Sequence, residues 1–274
     1  MAVVAIAQQI GSRGLEFGGL IAARLRYPLL GPEEIAVELS REYNITPEVY
    51  SLFDERQPGW WERLTTDNAR LAAYFRAVIL KHMSSCNIVV VGRSIPFVMP
   101  ADTRHGLRLR VVAPLNFRVR EVMREEKLDA AAAERRVRHY DQEVRARIQR
   151  SLGVDLEEHS RYDLIVNTAS RPMQWFVSTI ADLANAIDRE ADPRSIQVIK
   201  DESLAAQVRA ALLAHPKMGH APIEVEAKSG VVMLKSSALV PPWDDLAGQI
   251  VRRVPGVMRV ELQIEQPPMP LRAE

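Results

Sequence analysis

The chain has 274 residues, 47% of them apolar and 26% charged, so it can bury a sizeable core in one large or two smaller domains. Lysine plus arginine (36) nearly cancels aspartate plus glutamate (35), which argues against a chain built mainly to coat nucleic acid or an anionic membrane. A single cysteine, Cys86, excludes an internal disulfide and reads as a small buried hydrophobe.

In chain order, the opening "MAVVAIAQQIGSRG" has no basic segment ahead of its short apolar run. Nor does any stretch approach the roughly 18 apolar residues of a membrane span, and a cytoplasmic protein is expected. Val3 to Ala7 is an apolar run of the buried-strand kind, after which Leu15, Ile21 and Leu25 recur at helical spacing. Helices are predicted over Pro32 to Glu42 and Thr66 to Met83, on either side of a connector that Pro47, Pro58 and Gly59 interrupt. Trp60 and Trp61 lie in that connector and read as core residues.

"NIVVVGR" and "LRLRVVAP" are β-branched runs, the second followed by the helical "LNFRVREVMREE". A long arginine-rich helix over "DAAAAERRVRHYDQEVRARIQRSL", the strand "YDLIVN" and the helix "MQWFVSTIADLANAI" complete an alternation. That alternation implies an α/β domain with a mainly parallel sheet. Past the polar "DREADPRS" the pattern becomes a helix (about Asp201 to Ala214), the strands "IEVEA" and "VVMLK", a helix from near Pro242 and the strand "MRVELQI". We read this as a small α+β domain at 199–266, joined to a first domain at 1–190 by a linker at 191–198 and followed by a loose tail at 267–274. At roughly 70 residues it gains from docking or oligomerisation.

The first turn is where an α/β sheet holds a ligand, beyond the carboxyl end of a strand. It is not a G-x-x-x-x-G-K-[ST] loop, because the lysine is missing, and it carries no G-x-G-x-x-G fingerprint. Gly11-Ser12-Arg13-Gly14 can still offer N–H groups at a helix N-terminus, with Arg13 as the cation. From this turn alone, a plain strand-helix turn and a phosphate site are equally good readings. The six histidines form no H-x-x-x-H or Cys/His cluster, and no G-x-S-x-G appears.

Further segments add to the picture. "QIGSRGLEFGGLIAARL", "VVVGRSIPFVM", "LRVVAPLNFRVREVM", "YDQEVRARIQRSLGVD" and "RYDLIVNTAS", in that order, resemble the cytidylate kinase-like family, a branch of the nucleoside monophosphate kinases, over residues 3–187. In that branch the first turn resembles Gly-Ser-Gly-Gly and lacks the usual lysine. From "GVVMLKSSALV" and "VPGVMRVELQI", the C-terminal segment resembles a BON domain. The first resemblance implies a three-layer P-loop kinase-like domain that transfers a phosphoryl group from ATP, with Mg²⁺, to a nucleotide or related small acceptor. Gly11, Ser12, Arg13 and Gly14 would then hold the donor phosphates, with Ser12 a magnesium contact. Gly92, Arg93 and Ser94 would meet the acceptor, and Arg138, Asp141 and Arg145 would form a lid. The lid positions fall at i, i+3 and i+7, on one face of a helix. Asp54-Glu55 resemble an acidic pair of the family.

The BON-like domain implies a protein or lipid partner, regulation or homo-oligomerisation, and no nucleic-acid partner is expected. The alternative is a catalytically degenerate nucleotide sensor acting through that domain. Four positions depart from the resembled patterns. Arg13 stands where the family usually has glycine, Ser94 follows Gly92-Arg93 where cytidylate kinases have aspartate, Val144 occupies a lid position often held by arginine, and Ser236 replaces a glycine common in BON domains.

Overall fold

In the computed structural model, residues 1–45, 68–219, 221–236 and 241–264 are described. The connector with Trp60, Trp61 and Asp54-Glu55, and the tail at 267–274, lie outside them. Contacts divide the chain into two compact units, Met1–Ile35 with Ser85–Ile196, and Ala36–Ser84 with Gln197–Glu274.

The first unit is built on five strands, β1 (Val3–Gln8), β2 (Leu29–Leu30), β3 (Ile88–Val91), β4 (Gly106–Val112) and β5 (Leu164–Asn167), in the order β2-β3-β1-β4-β5. All four pairings are parallel, as the alternation of strands and helices predicts. β1 is central, with Ala5 opposite Val90 on one side and Arg108 on the other. A strand covered on both faces needs a continuous apolar run, and Val3, Val4, Ala5, Ile6 and Ala7 are all buried. The strand order reverses beside β1, so its carboxyl end opens on the crevice where such sheets take ligands.

Helices α1 (Gly14–Leu25) and α7 (Met173–Arg189) pack on each other. Phe17, Ile21, Val177 and Ile180 join the β1, β3 and β4 residues in one core. A second core forms between α5 (Leu115–Glu126) and α6 (Ala130–Leu152). Its seam is Ala133, Val137, Tyr140, Val144 and Ile148, the spacing of one helical face. Asp129 caps α6 by accepting from Ala132 N (2.8 Å), and Gly153, at φ 67°, closes it. Val144, an expected lid position, is instead one of the buried side chains of this seam.

In the second unit, α2 (Pro32–Tyr43, apart from its first turn) and α3 (Asn68–Ser85) are joined by the stacked rings of Tyr43 and Tyr74 (4.1 Å) and by the Lys81–Glu42 pair. Arg76 of α3 meets Glu202 at 2.7 Å, which ties α3 to α8 (Pro193–Ala214). By contacts, α3 and most of α2 thus fall in one compact unit with the C-terminal elements. Strands β6 (Glu224–Lys228) and β7 (Val231–Ser236) form a hairpin on Ser229 and Gly230, both at positive φ. After α9 (Trp243–Val251), β8 (Arg259–Ile264) returns parallel to β7. The core is Leu204, Val208, Leu212, Val232, Leu234, Ala247 and Val251, and Ser236 is buried at the end of β7.

Helix α8 begins two turns ahead of the expected Asp201, so most of the expected linker is helical. Pro193 takes the first helical position and Asp192 accepts from Arg194 N at 2.9 Å. Polar composition there marks a capped helix end instead of a connector. Among the described residues no helix is long and apolar enough to cross a membrane.

Candidate functional site

Between β1 and α1 the chain makes a tight turn in which each residue is held by a specific contact. Gly11 sits at φ +70°, and a Cβ there would come within 2.5 Å of the Arg118 carbonyl oxygen. Only glycine meets both demands. Ser12 is fully buried; its Oγ donates to the Gln9 carbonyl (2.7 Å), and its own carbonyl accepts from Thr168 Oγ1 (2.7 Å). The hydroxyl proton is therefore committed to Gln9, which leaves the oxygen lone pairs of this buried side chain as the part that would meet a magnesium ion.

Arg13 occupies the position before α1 in the left-handed region (φ 57°, ψ 30°), without a side-chain cap. Its guanidinium takes both carboxylate oxygens of Glu16, at 2.7 and 2.6 Å, and that pairing raises the Arg13 pKa. At Gly14 a Cβ would press on the Gln8 side chain at 2.5 Å. Phe17 N is the first to reach an intrahelical carbonyl, Arg13 O at 3.0 Å, so the N–H groups of Gly14, Leu15 and Glu16 are the orphan donors of the helix start. With the positive end of the α1 dipole they fit an anion without a lysine.

A cavity of about 180 Å³ lies at the carboxyl ends of β1, β3 and β4, beneath α6. Arg93, Asp141 and Arg145 of the sequence-predicted set line it, together with Gln8 and Gln9 from the end of β1. The Arg93 guanidinium lies 4.1 Å over the ring of Tyr140, which is buried in the α5–α6 core. Gly92 and Ser94 shape the turn that launches Arg93. Gly92 N donates to Ile6 O at 3.0 Å, and the Ser94 carbonyl accepts from Phe97 and Val98 as the cap of the short helix α4 (Ile95–Val98).

Arg138 behaves differently from Asp141 and Arg145, the other two residues of the expected lid. It is exposed, bonded to Glu134 at 2.9 and 2.7 Å, and does not line the cavity. Arg145 reaches Asp155 at 3.2 Å. Asp141 is held by Arg118 at 2.9 Å, and Arg118, itself buried, also donates to the Ala113 carbonyl at 3.1 Å. Burial pushes the Asp141 carboxyl above its ordinary value, and the Arg118 guanidinium offsets this only in part.

Sequence reasoning missed Arg110 and Arg118. Arg110 projects from the buried β4 onto Leu156 O and the Glu157 carboxylate, with the Tyr162 ring 5.5 Å from its guanidinium carbon. Burial pushes the Tyr162 phenol up to about 12. The available signal was an arginine inside an apolar β run, "LRLRVV", since a buried guanidinium always needs partners.

The model of the cytidylate kinase-like family matches residues 3–170, and the BON domain model matches residues 200–238. Among solved structures, an uncharacterized protein from Eubacterium ventriosum ATCC 27560 aligns with TM-score 0.52 at 14% identity, covering 68% of this chain and 99% of that one. Its likeness is one of fold. A shikimate kinase from Acinetobacter baumannii, in complex with shikimate, aligns with TM-score 0.42 at 12% identity over 68% of this chain and 94% of its own. A gluconokinase from Sinorhizobium meliloti 1021 aligns with TM-score 0.42 at 16% identity over 70% and 97%. The curated proteins give no match.

Proposed function

The chain belongs to the cytidylate kinase-like family, and from that premise we propose that it transfers a phosphoryl group from ATP, with Mg²⁺, to a nucleoside monophosphate or related small acceptor. The observation that carries this reading is the cavity at the strand ends, where Arg93 and, some 50 residues later, Asp141 and Arg145 come together. Phosphoryl transfer asks a protein for positioned cations and excluded water more than for covalent chemistry. Arg93 meets the acceptor's anionic group, fixed in direction by the Tyr140 ring. Arg145 spans the phosphates once it leaves Asp155, and Asp141 orients the lid through Arg118. Arg138 joins them when it exchanges Glu134 for a phosphate.

The donor phosphates rest on the N–H groups of the Gly11–Gly14 turn and the start of α1. Bound there, Mg-ATP supplies the transferable phosphoryl group and a divalent charge on its oxygens. The BON-like segment serves a regulatory or partner-binding role in a cytoplasmic protein.

Phosphoryl transfer from Mg-ATP to a panel of ribo- and deoxyribonucleoside monophosphates, followed chromatographically with full-length protein, tests this reading. Transfer to one acceptor, lost in Arg93→Ala, is expected; folded protein that phosphorylates none of them refutes a nucleoside monophosphate as the acceptor. A second reading, a nucleotide sensor without turnover, draws on the Arg13–Glu16 pairing and the Ser12 hydroxyl committed to Gln9. Retention of ATP in equilibrium dialysis without transfer to any acceptor would select it.

A further inference from the structure

We propose that Arg110 is a second guanidinium for the acceptor's phosphate dianion, and that Glu157 is its internal counter-ion until that dianion arrives. This rests on the kinase reading and concerns the floor of the same cavity. Arg110 is 5% exposed, and a buried cation is tolerated only where something balances it. The balance comes from Glu157, whose side chain is about half exposed (49%) and sits at the rim.

The two partners differ in how firmly they are held. Arg110 rises from the central part of β4, opposite Ala7 of β1, and is packed beside the Tyr162 ring. Glu157 belongs to a segment outside helix and strand, and its backbone N–H donates to Asp155 at 3.0 Å. A ligand can therefore displace the carboxylate while the guanidinium stays in place. Three guanidiniums line the cavity (Arg93, Arg110 and Arg145) against two carboxylates. One of those, Asp141, is bound to Arg118. An entering dianion that takes over Arg110 and frees Glu157 to solvent improves this balance, whereas a neutral acceptor leaves it unchanged. The planar fork of arginine suits two oxygens of one phosphate, which a lysine ammonium does not reproduce.

The test is isothermal titration of the full-length protein with inorganic phosphate at constant ionic strength, in the wild type, Arg93→Ala, Arg110→Lys and Glu157→Gln, with thermal melts in parallel. Glu157→Gln changes a half-exposed residue, so it reads the proposal even if Arg110→Lys does not fold. Expected are phosphate binding about tenfold tighter in Glu157→Gln, the scale of one competing charge-assisted hydrogen bond removed, and about tenfold weaker in Arg110→Lys. A Glu157→Gln protein that melts lower with unchanged or weaker phosphate binding, while Arg93→Ala still abolishes binding, overturns the proposal. That result gives the Arg110–Glu157 pair a purely structural role and leaves the kinase reading standing. No phosphate binding by any form, wild type included, overturns both.

Discussion

The Arg118–Asp141 pair predicts an asymmetric response to removing its two halves. Arg118 is nearly buried (8% of its side chain) and serves both the Ala113 carbonyl, at 3.1 Å, and Asp141, at 2.9 Å; Asp141 is 37% exposed. Truncation to Arg118→Met orphans that carbonyl and leaves a desolvated carboxylate without its cation. Breaking a buried pair from one side costs roughly 3–5 kcal/mol, and a partner this exposed puts the value at the low end, about 3 kcal/mol. In Asp141→Asn the shape and an acceptor oxygen remain and the carboxylate's desolvation cost disappears, but the buried Arg118 guanidinium loses its counter-charge, so the net loss is about 1–2 kcal/mol, smaller than for Arg118→Met. The pH dependence has a definite sign. The folded pKa of Asp141 is raised, mainly by burial, so the native state holds its proton to higher pH than the unfolded chain. This contribution is full below the unfolded pKa and is lost as pH rises through the folded one. Thermal melts at pH 5 and pH 7.5, following the transition that carries the first unit, should show Arg118→Met lowered by about 6–12 °C at pH 7.5 and by less at pH 5. Asp141→Asn should be lowered by less than Arg118→Met at pH 7.5 and should flatten the acid side of the profile. Equal losses from the two substitutions would refute the argument that desolvation dominates this pair.

Thr168→Val removes the donor to the buried Ser12 carbonyl and should cost about 2 kcal/mol, measured as a drop in Tm with a loosened phosphate turn. Gly11→Ala and Gly153→Ala form a matched pair, since both glycines have φ near +70° but only at Gly11 would the new Cβ meet backbone, at 2.5 Å. Gly153→Ala should cost about 1 kcal/mol and Gly11→Ala distinctly more, and equal urea midpoints would contradict this. His105 is fully buried, with Nδ1 2.7 Å from Ser195 Oγ, and burial lowers its pKa. The unfolded chain therefore takes up the proton first, and the contribution is lost as pH falls from the ordinary imidazole value through the folded one. His105→Gln should weaken that part of the Tm profile.

The parallel sheet was legible because its central strands are apolar on both faces, as "VVAIA" and "IVVV" declare directly. Helix α6 was legible as a long arginine-rich helix, but its seam of Ala133, Val137, Tyr140, Val144 and Ile148 was not, because the arginines dominate the pattern there. Arg93 could be placed because a residue just after a buried strand must lie at the crevice. Arg110 and Arg118 were not legible as site residues. Except for Ala113, which lies five residues before Arg118, the partners that hold them (Leu156, Glu157 and Asp141) are brought near only by the tertiary fold. Arg138 and Arg145 share a helix face in sequence, yet local carboxylates decide their positions: Glu134, one turn away, holds Arg138, whereas Asp155 beyond the helix end holds Arg145 where it lines the cavity. The start of α8 was misplaced because a polar first turn behind an Asp-Pro cap has the composition of a linker.

Arg13 is the residue on which catalyst and sensor part. It holds a left-handed conformation that costs a non-glycine residue roughly 1–2 kcal/mol, and its guanidinium is tied to Glu16 in a pair 34% and 48% exposed, worth about 0.2–1 kcal/mol. The pair alone does not offset the strain, so stability does not explain an arginine here. Arg13→Gly, the residue usual in the family, should leave Tm unchanged or raise it by about 1–3 °C. If Arg13 stands in for the missing lysine, the same substitution abolishes turnover. Glu16→Gln, which releases the guanidinium, then lowers the KM for ATP severalfold. Turnover that survives Arg13→Gly would refute that role and shift donor neutralisation to Mg²⁺ and the lid arginines. In that case the Arg13–Glu16 pair only closes the helix start, and Glu16→Gln should leave the KM for ATP where it was.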